Sequence, residues 1–394
     1  MKLRFYGADR CVTGSCHCLE VNGKKILVDC GLQQGRDEVD NASLPFHPGA
    51  IDCVLVTHAH IDHSGRLPLL IKNGFEGKII TTRLTAQLLS IMLQDSAHIQ
   101  ESDAEYQNRK NLRAGRPTVQ PLYTVEDAER VKEFVQTCEY GETVQLCEGV
   151  TAEFIDAGHL LGSASIRVTA HEGGETRVIV FSGDIGNVDQ PIIRDPQFFD
   201  SADYVLMEST YGNRNHTEVW SYTDDLAQII DETLGRTLLD GAASVKLFGE
   251  DVAVRAKIVN FQGLSSHADR DHLLAWIARY KAPKPQHVFI VHGDREVAPL
   301  FAETISAMGF NAHAPQYTEE YDLITCTQLA KGFLPERKKM VFDGQGSRAG
   351  VVYQKLLQAL DALQALVRRS KGRDNKTLGA MAEAIRKITE KYEF

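Results

Sequence analysis

The hexapeptide HAHIDH, at positions 58–63, constrains the fold of this chain more than any other feature. It follows the apolar stretch AIDCVLVT, which is typical of a buried strand. It leads into GRLPLLIKNG, which predicts a short helix closed by Gly74. Three histidines and an aspartate this close together are improbable by chance in a chain with 14 histidines among 394 residues. The hexapeptide therefore predicts a metal site where a strand passes into a helix.

The donors in the hexapeptide suit two metal ions. His58 and His60 alternate along an extended segment, so both side chains can face one ion. Asp62 and His63 follow where the chain turns into the helix. Nitrogen and oxygen donors of this kind suit zinc or a similar transition metal. Because a tetrahedral ion needs donors from different directions, we expect the first pair on one ion and the second pair on another.

Three further residues end predicted strands and can supply the missing ligands. His159 follows FIDAG, Asp184 follows VIVFSG, and His292 follows HVFIV. We expect His159 on the first ion, His292 on the second, and the Asp184 carboxylate as a bridge. Two bridged ions about 3.5–4 Å apart activate a water and clamp both oxygens of a phosphoryl displacement. Asp29, which ends KKILVDCG, is expected either to orient a ligand histidine or to form the turn before Gly31.

Strands interleaved with helices predict an α/β fold. LRFYG, SCHCLEV and KKILVDCG are predicted strands, and VNGKK marks a hairpin between two of them. The pattern is helical over 84–113, and over 124–140 it opens with Thr124 and Asp127 as a capping box. Further helices are predicted over 223–234, 269–280 and 296–309. Apolar residues at helical spacing over Val351–Arg369 predict a helix that docks on the body or on a second subunit.

Composition restricts the classes of function. The net charge of −10 argues against general nucleic-acid binding and confines any such binding to a local site. The eight cysteines form no CxxC pair, so we expect free thiols in a reducing compartment. The chain has no apolar run near the roughly 18 residues of a membrane span. Its first residues lack the apolar stretch of a signal peptide, so the expected location is cytoplasmic.

The series VDCG, HAHIDH, GHLLGSAS and FSGDIG resembles the metallo-β-lactamase superfamily, in that family's order. The resemblance covers roughly residues 1–210 and resumes over 240–330. It implies a four-layer αββα sandwich with a dinuclear zinc site at one edge.

Three later segments are similar to the additional motifs of the β-CASP group, the RNA- and DNA-processing nucleases of the superfamily. They are LMESTYGNR with Glu208, LSSHADRDHLLAW with His267, and FIVHGDR with His292. This similarity implies that His292 is the late metal ligand, that His267 donates a proton to the leaving oxygen, and that Glu208 orients His267. We therefore expect Asp62, Glu208 and His267 to take part in catalysis.

The chain departs from the β-CASP pattern in its cap, an α/β domain that the group inserts between the segments of Glu208 and His267. These two residues are only 59 positions apart, whereas an inserted domain normally brings on the order of 100 residues. We interpret this as an internal deletion with its seam near Thr233 to Leu238. The expected layout is a metallo-β-lactamase domain over 1–212, a truncated cap over 213–250, the rest of that domain over 251–328, and a helical C-terminal segment over 329–394.

Three functions are compatible with these features. The leading hypothesis is a hydrolase with two zinc ions that cleaves single-stranded RNA, with activity reduced by the truncated cap. The second is a small-molecule hydrolase that opens a thioester, lactone or lactam on the same scaffold. The third is a non-catalytic RNA-binding or assembly partner that forms a homodimer through its C-terminal helices.

Overall fold

The computed structural model of the chain falls into two compact units, Met1–Lys338 and Lys339–Phe394. It describes residues 1–35, 40–190, 192–216, 244–247, 250–253, 265–336, 382, 383 and 386. In the second unit the described residues, Ala382, Glu383 and Arg386, are helical. The predicted helices over 223–234 and Val351–Arg369 lie outside the described residues, as does the proposed seam of the cap.

Most of the described strands form two large sheets, and the described helices are few. The strands are β1 (Lys2–Phe5), β2 (His17–Val21), β3 (Lys24–Val28), β4 (Cys53–Leu55), β5 (Lys78–Thr82), β6 (Val135–Cys138), β7 (Thr143–Cys147), β8 (Val150–Asp156), β9 (Ala164–Glu172), β10 (Glu175–Phe181), β11 (Tyr204–Glu208), β12 (Ser244–Leu247), β13 (Glu250–Ala253), β14 (His287–Val291), β15 (Ala312–His313), β16 (Glu320–Asp322) and β17 (Thr327–Ala330). The α-helices are α1 (Ile61–Ser64), α2 (Leu67–Lys72), α3 (Arg83–Arg113), α4 (Val125–Glu129), α5 (Arg270–Ile277) and α6 (Val297–Ala307).

The first sheet has eight strands in the order β17-β16-β1-β2-β3-β4-β5-β6, and the second has seven in the order β15-β14-β11-β10-β9-β8-β7. In the first sheet β3 to β6 run parallel, and in the second β10, β11, β14 and β15 do. The predicted VNGKK hairpin joins β2 to β3, and its turn residues Asn22 and Gly23 both have positive φ, as a two-residue hairpin turn requires. Strands β12 and β13 form a separate antiparallel pair.

The two sheets pack face to face, and helices cover both outer faces. Apolar residues from both sheets meet between them, among them Leu3 and Phe5 from the first sheet and Phe154 and Phe181 from the second. A second apolar cluster joins the first sheet to α2, α3 and α4. A third joins the second sheet to α5 and α6, which contribute Trp276, Phe301 and others. The predicted four-layer αββα sandwich is confirmed.

The helix predicted over 124–140 is wrong in its second half. The capping box of Thr124 and Asp127 is present, but α4 ends at Glu129 and passes into a 3₁₀ turn, Arg130–Glu133. The chain then forms β6, which pairs in parallel with β5. Its segment VQTC contains β-branched residues that suit a strand, so pairing at the sheet edge prevails over the helical pattern.

The composition also led to expectations about the cysteines and about membrane-spanning helices. Seven of the eight cysteines, Cys16, Cys18, Cys30, Cys53, Cys138, Cys147 and Cys326, are free thiols, and five of these are buried. In the part of the chain that the structure describes, no helix combines the length and the apolar character needed to cross a bilayer.

Candidate metal centre

The predicted site residues converge on one edge of the sandwich. Asp29 follows β3, and the hexapeptide 58–63 follows β4. Asp184 follows β10, and His292 follows β14. Because neighbouring parallel strands end at the same edge of a sheet, their C-terminal loops lie side by side there. His159 reaches this edge from the loop that joins β8 to β9.

The first group of side chains consists of His58, His60, His159 and Asp184, whose ligand atoms lie within 4.8 Å of one another. The Nδ1 atom of His60 lies 3.0 Å from Nε2 of His58 and 3.2 Å from Nε2 of His159. Nε2 of His58 lies 3.4 Å from Oδ2 of Asp184. These are the residues that the sequence assigns to the first ion.

The second group consists of Asp62, His63 and His292. The two histidines face each other through their Nε2 atoms at 3.1 Å, and Oδ2 of Asp62 lies 3.4 Å from Nε2 of His292. The other oxygen of Asp184, Oδ1, lies 3.2 Å from Nε2 of His63. The Asp184 carboxylate therefore stands between the two groups, with one oxygen towards each.

Glu208 and His267 adjoin both groups. Nδ1 of His267 lies 3.2 and 3.3 Å from the two oxygens of Glu208, and its Nε2 lies 3.9 Å from Oδ2 of Asp184. Glu208 is fully buried, and it also accepts a hydrogen bond from the backbone N–H of Ile185. The imidazole of His267 therefore has one nitrogen fixed by a carboxylate and the other facing the two groups.

Hydrogen bonds at Nδ1 orient three further histidines, His58, His63 and His292. Oδ2 of Asp29 lies 2.7 Å from Nδ1 of His63. The Thr57 hydroxyl lies 3.0 Å from Nδ1 of His58, and the Thr210 hydroxyl lies 3.1 Å from Nδ1 of His292. Such partners set which nitrogen is free to bind a metal.

Sequence reasoning did not find Thr57 and Thr210. Thr57 directly precedes His58, and Thr210 lies in the LMESTYGNR segment. A threonine within each motif was the available signal, although threonine is also common in strands for reasons of packing.

The loops of the site are packed closely and are partly strained. Asp29 and His292 have φ values of 64° and 48°, in the left-handed region that non-glycine residues rarely adopt. A Cβ atom at Gly31 would lie 1.6 Å from the carbonyl oxygen of Asp62, so only glycine fits there. The loop after β3 therefore fixes the position of the backbone that carries Asp62 and His63.

Burial keeps several of these histidines neutral. It lowers the pKa of His159 to about 4 and holds that of His58 well below its usual range. Burial alone would raise the pKa of Asp184, but the neighbouring His292 and His63 hold it well below its usual range. Burial alone would lower the pKa of His63, but the carboxylates of Asp184 and Asp29 raise it well above its usual range. The centre therefore combines an ionised carboxylate with imidazoles that are uncharged at His58 and His159.

The donor set fits zinc. Ring nitrogens of His58 and His159 face Nδ1 of His60 at 3.0 and 3.2 Å, and those of His63 and His292 face each other at 3.1 Å. Oδ1 of Asp184 is buried and has no hydrogen-bond partner among the described residues. A cation between these atoms satisfies both features, and imidazole and carboxylate donors are those that zinc prefers.

The pKa of His267 is raised to about 9. Burial alone would lower it, but the negative charges of Glu208 and Asp184 outweigh that effect. A cation bound nearby would bring it down again, since like charge disfavours the imidazolium form.

Two family models match the chain. The metallo-beta-lactamase superfamily matches residues 9–210, more than half of the 394-residue chain. The chain belongs to this superfamily. The second model, described as a Zn-dependent metallo-hydrolase RNA specificity domain, matches residues 251–315 of this metallo-β-lactamase chain. Together the two models agree with the resemblance to the β-CASP nucleases.

Curated relatives of this metallo-β-lactamase chain carry ribonuclease names. Ribonuclease TTHA0252 of Thermus thermophilus is 36% identical over 237 residues, which are 60% of this chain and 50% of the relative. Probable RNase MJ4 of Methanocaldococcus jannaschii is 30% identical over 259 residues, 64% of this chain and 55% of the relative. The chain thus spans about half the length of the curated relatives it matches.

Among solved structures, this chain is similar to Zn(2+)-bound PqqB from Methylobacterium extorquens. The match covers 82% of this chain and 100% of the PqqB chain. The sequence identity is 11% and the TM-score is 0.43.

Proposed function

We propose that the chain is a hydrolase with two zinc ions that cleaves phosphodiester bonds in single-stranded RNA. The ribonuclease names of the relatives and the matched RNA specificity domain support the substrate class. The observation that carries the proposal is the contact of the Glu208–His267 pair with Asp184, between the two groups of donors. Opening a thioester, lactone or lactam does not require this pair.

We assign the ligands by the two groups. His58, His60 and His159 would hold the first ion, Asp62, His63 and His292 would hold the second, and Asp184 would be shared by both. The support is that each oxygen of Asp184 faces one group, at 3.4 Å from His58 and 3.2 Å from His63. Asp29 orients His63 through the hydrogen bond at Nδ1.

When bound, zinc supplies a Lewis acid that activates water and stabilises charge on phosphoryl oxygens. The side chain of Asp62 is 19% exposed, and its carboxylate can accept the proton of the attacking water. His267 donates a proton from Nε2 to the leaving oxygen of the substrate. Glu208 holds Nδ1 of the same ring and stabilises the imidazolium before the proton is transferred.

The domain layout remains part of the proposal. We infer that most of a β-CASP cap is missing between Glu208 and His267, which are 59 positions apart and yet in contact. The groove that a cap forms over the substrate strand would then be incomplete, and cleavage would be weak. Homodimer formation through the apolar stripe of Val351–Arg369 also stays a prediction.

Substrate comparison tests the proposed function. The zinc-loaded chain is assayed with bis(p-nitrophenyl) phosphate, a labelled single-stranded RNA, and a panel of lactones and thioesters. We expect hydrolysis of the two phosphodiesters alone. Hydrolysis confined to lactones or thioesters would assign a small-molecule hydrolase. Tight RNA binding without cleavage of any phosphodiester would assign a non-catalytic RNA-binding protein.

A further inference from the structure

A cavity of about 340 Å³ is lined in part by the loop that carries His159. Leu160, Leu161 and Gly162, the residues directly after His159, form one wall. The opposite walls come from the start of α3, the end of β6 and the segment around Arg194. Consecutive Cα atoms are about 3.8 Å apart, and Gly162 is the third residue after His159. The Cα atoms of this wall therefore lie within about 11 Å of the Cα atom of His159.

The shared loop is held rigidly on the cavity side. The carbonyl of Gly162 accepts hydrogen bonds from the hydroxyls of Thr82 and Thr85, at 2.6 and 2.8 Å. The carbonyl of Ser163 accepts one from the hydroxyl of Tyr140 at 2.8 Å. The cavity and the position of His159 are therefore parts of one fixed framework.

Two of the apolar side chains that line the cavity are exposed to solvent. Ile192 is 82% exposed and Leu161 is 50% exposed. Exposed apolar groups that cluster at a concave surface mark a binding site more often than isolated ones do. A flat apolar ligand is the kind of group that would cover them.

Charged groups stand beside the apolar wall. Arg83 and Arg194 both line the cavity, as do Glu139 and Asp156. Arg83 pairs with Glu139 at 3.2 Å on the surface. Arg194 lies close enough to Asp156 to oppose the rise in the pKa of Asp156 that burial causes. Apolar faces with both cationic and anionic groups at the edge suit a nucleotide, which has a flat base, hydrogen-bonding edges and a phosphate.

We propose that this cavity binds one unstacked nucleotide of the single-stranded RNA, beside the scissile phosphate. The inference rests on the proposed function, because RNA that binds at the metal centre for cleavage brings a nucleotide within reach of the cavity. The base lies against Leu161 and Ile192, as flipped bases lie between apolar side chains. The arginines contact the phosphate, so that the strand is bound locally on a chain with a net charge of −10.

The test measures RNA binding separately from cleavage. Binding of a fluorescent single-stranded decaribonucleotide is followed by anisotropy in a His60→Ala background, which prevents turnover. Leu161→Asp and Arg194→Glu are compared with Leu300→Asp and Arg113→Glu, two exposed positions remote from the cavity in sequence. Zinc content and hydrolysis of bis(p-nitrophenyl) phosphate are measured for the same four substitutions in the wild-type background.

We expect Leu161→Asp and Arg194→Glu each to weaken RNA binding by about tenfold. Their zinc content and hydrolysis of the small phosphodiester should match those of the two control variants. Equal RNA affinity for cavity and control variants would overturn the inference, and would leave the proposed function intact if the wild type cleaves RNA. A change in self-association during sedimentation, with unchanged RNA affinity, would assign the cavity to a second copy and also overturn it.

The two proposals fail in different ways. If the wild type cleaves no RNA but the cavity variants lose RNA affinity, the ribonuclease proposal fails and the nucleotide site stands. If the His60→Ala chain binds no RNA at all, the nucleotide site is wrong.

Discussion

Histidines of the centre that have an outer hydrogen-bond partner use their two ring nitrogens for different tasks. In His63, Nδ1 is held by Asp29 at 2.7 Å while Nε2 faces His292 at 3.1 Å. In His267 the same division places Glu208 on Nδ1 and leaves Nε2 towards Asp184. An outer partner fixes the ring, and the inner nitrogen is available for chemistry.

His267→Ala should retain zinc and lose turnover. Its imidazole lies 3.9 Å from Asp184 but is not part of the two groups assigned to the metal ions. General acid catalysis contributes about 10²–10⁴ in rate, so kcat on RNA should fall by a factor in that range. Zinc is measured by mass spectrometry on the same preparation.

His98→Ala, on the exposed surface of α3, is the matched control and should leave both zinc content and turnover unchanged. Glu208→Gln should retain zinc and show a smaller loss of kcat than His267→Ala, because the amide keeps a hydrogen bond but removes the charge. Loss of zinc from His267→Ala would show that the role assigned to His267 is wrong.

At the scale of elements, the strands that end at one edge bring together residues that are far apart in sequence. His63 and His292 are in contact although 229 positions separate them. The loops meet without space between them, since Gly31 packs against the backbone of Asp62. The geometry of the centre thus depends on backbone contacts between loops as much as on the donors themselves.

Gly31→Ala should weaken zinc binding and destabilise the fold. The added Cβ would lie 1.6 Å from the carbonyl oxygen of Asp62, and backbone atoms on both sides would have to move. We expect the free energy of unfolding to fall by about 3 kcal/mol. The measurements are chemical denaturation and zinc titration.

Gly49→Ala is the control, because its Cβ would meet nothing closer than 3.3 Å. Equal stability and equal zinc affinity of the two variants would contradict the close packing of the loop after β3 against the hexapeptide.

The elements also show how far the sequence predicts this structure. Apolar runs followed closely by His or Asp predicted β4, β10 and β14. This prediction was possible because a buried strand is marked by a short run of apolar residues, which is visible in the local sequence. The helix predicted over 124–140 failed after Glu133, where pairing of β6 with β5 decides the structure. Thr57 and Thr210 were missed for the same reason, since their roles arise from contacts that a local pattern does not contain.

At the scale of the whole molecule, two sheets and two layers of helices form the support of the centre. Residues before Glu208 and after His267 belong to one compact unit, Met1–Lys338. The metallo-β-lactamase core thus includes both sides of the position where we infer the missing cap. We therefore propose that the chain has all of its metal ligands but lacks part of the groove that binds the RNA strand.

Restoring a cap should raise RNA cleavage. A full cap domain from a β-CASP relative is inserted near Thr233 to Leu238, and cleavage of labelled single-stranded RNA is compared with that of the unmodified chain. A groove that orients the strand should raise kcat/KM by about tenfold or more. Hydrolysis of bis(p-nitrophenyl) phosphate serves as the control and should not change, since this substrate does not use the groove.

A folded chimera with no gain on RNA would contradict the inferred role of the missing cap.

The central claim is that the two groups around Asp184 hold two zinc ions which cleave RNA. Zinc content by mass spectrometry and cleavage of labelled single-stranded RNA, measured on one preparation, test it most directly. The account predicts two zinc ions per chain with RNA cleavage, and the loss of zinc and cleavage in His60→Ala but not in His98→Ala. Fewer than two zinc ions in an active chain, or two zinc ions in a chain that cleaves no RNA, would contradict it.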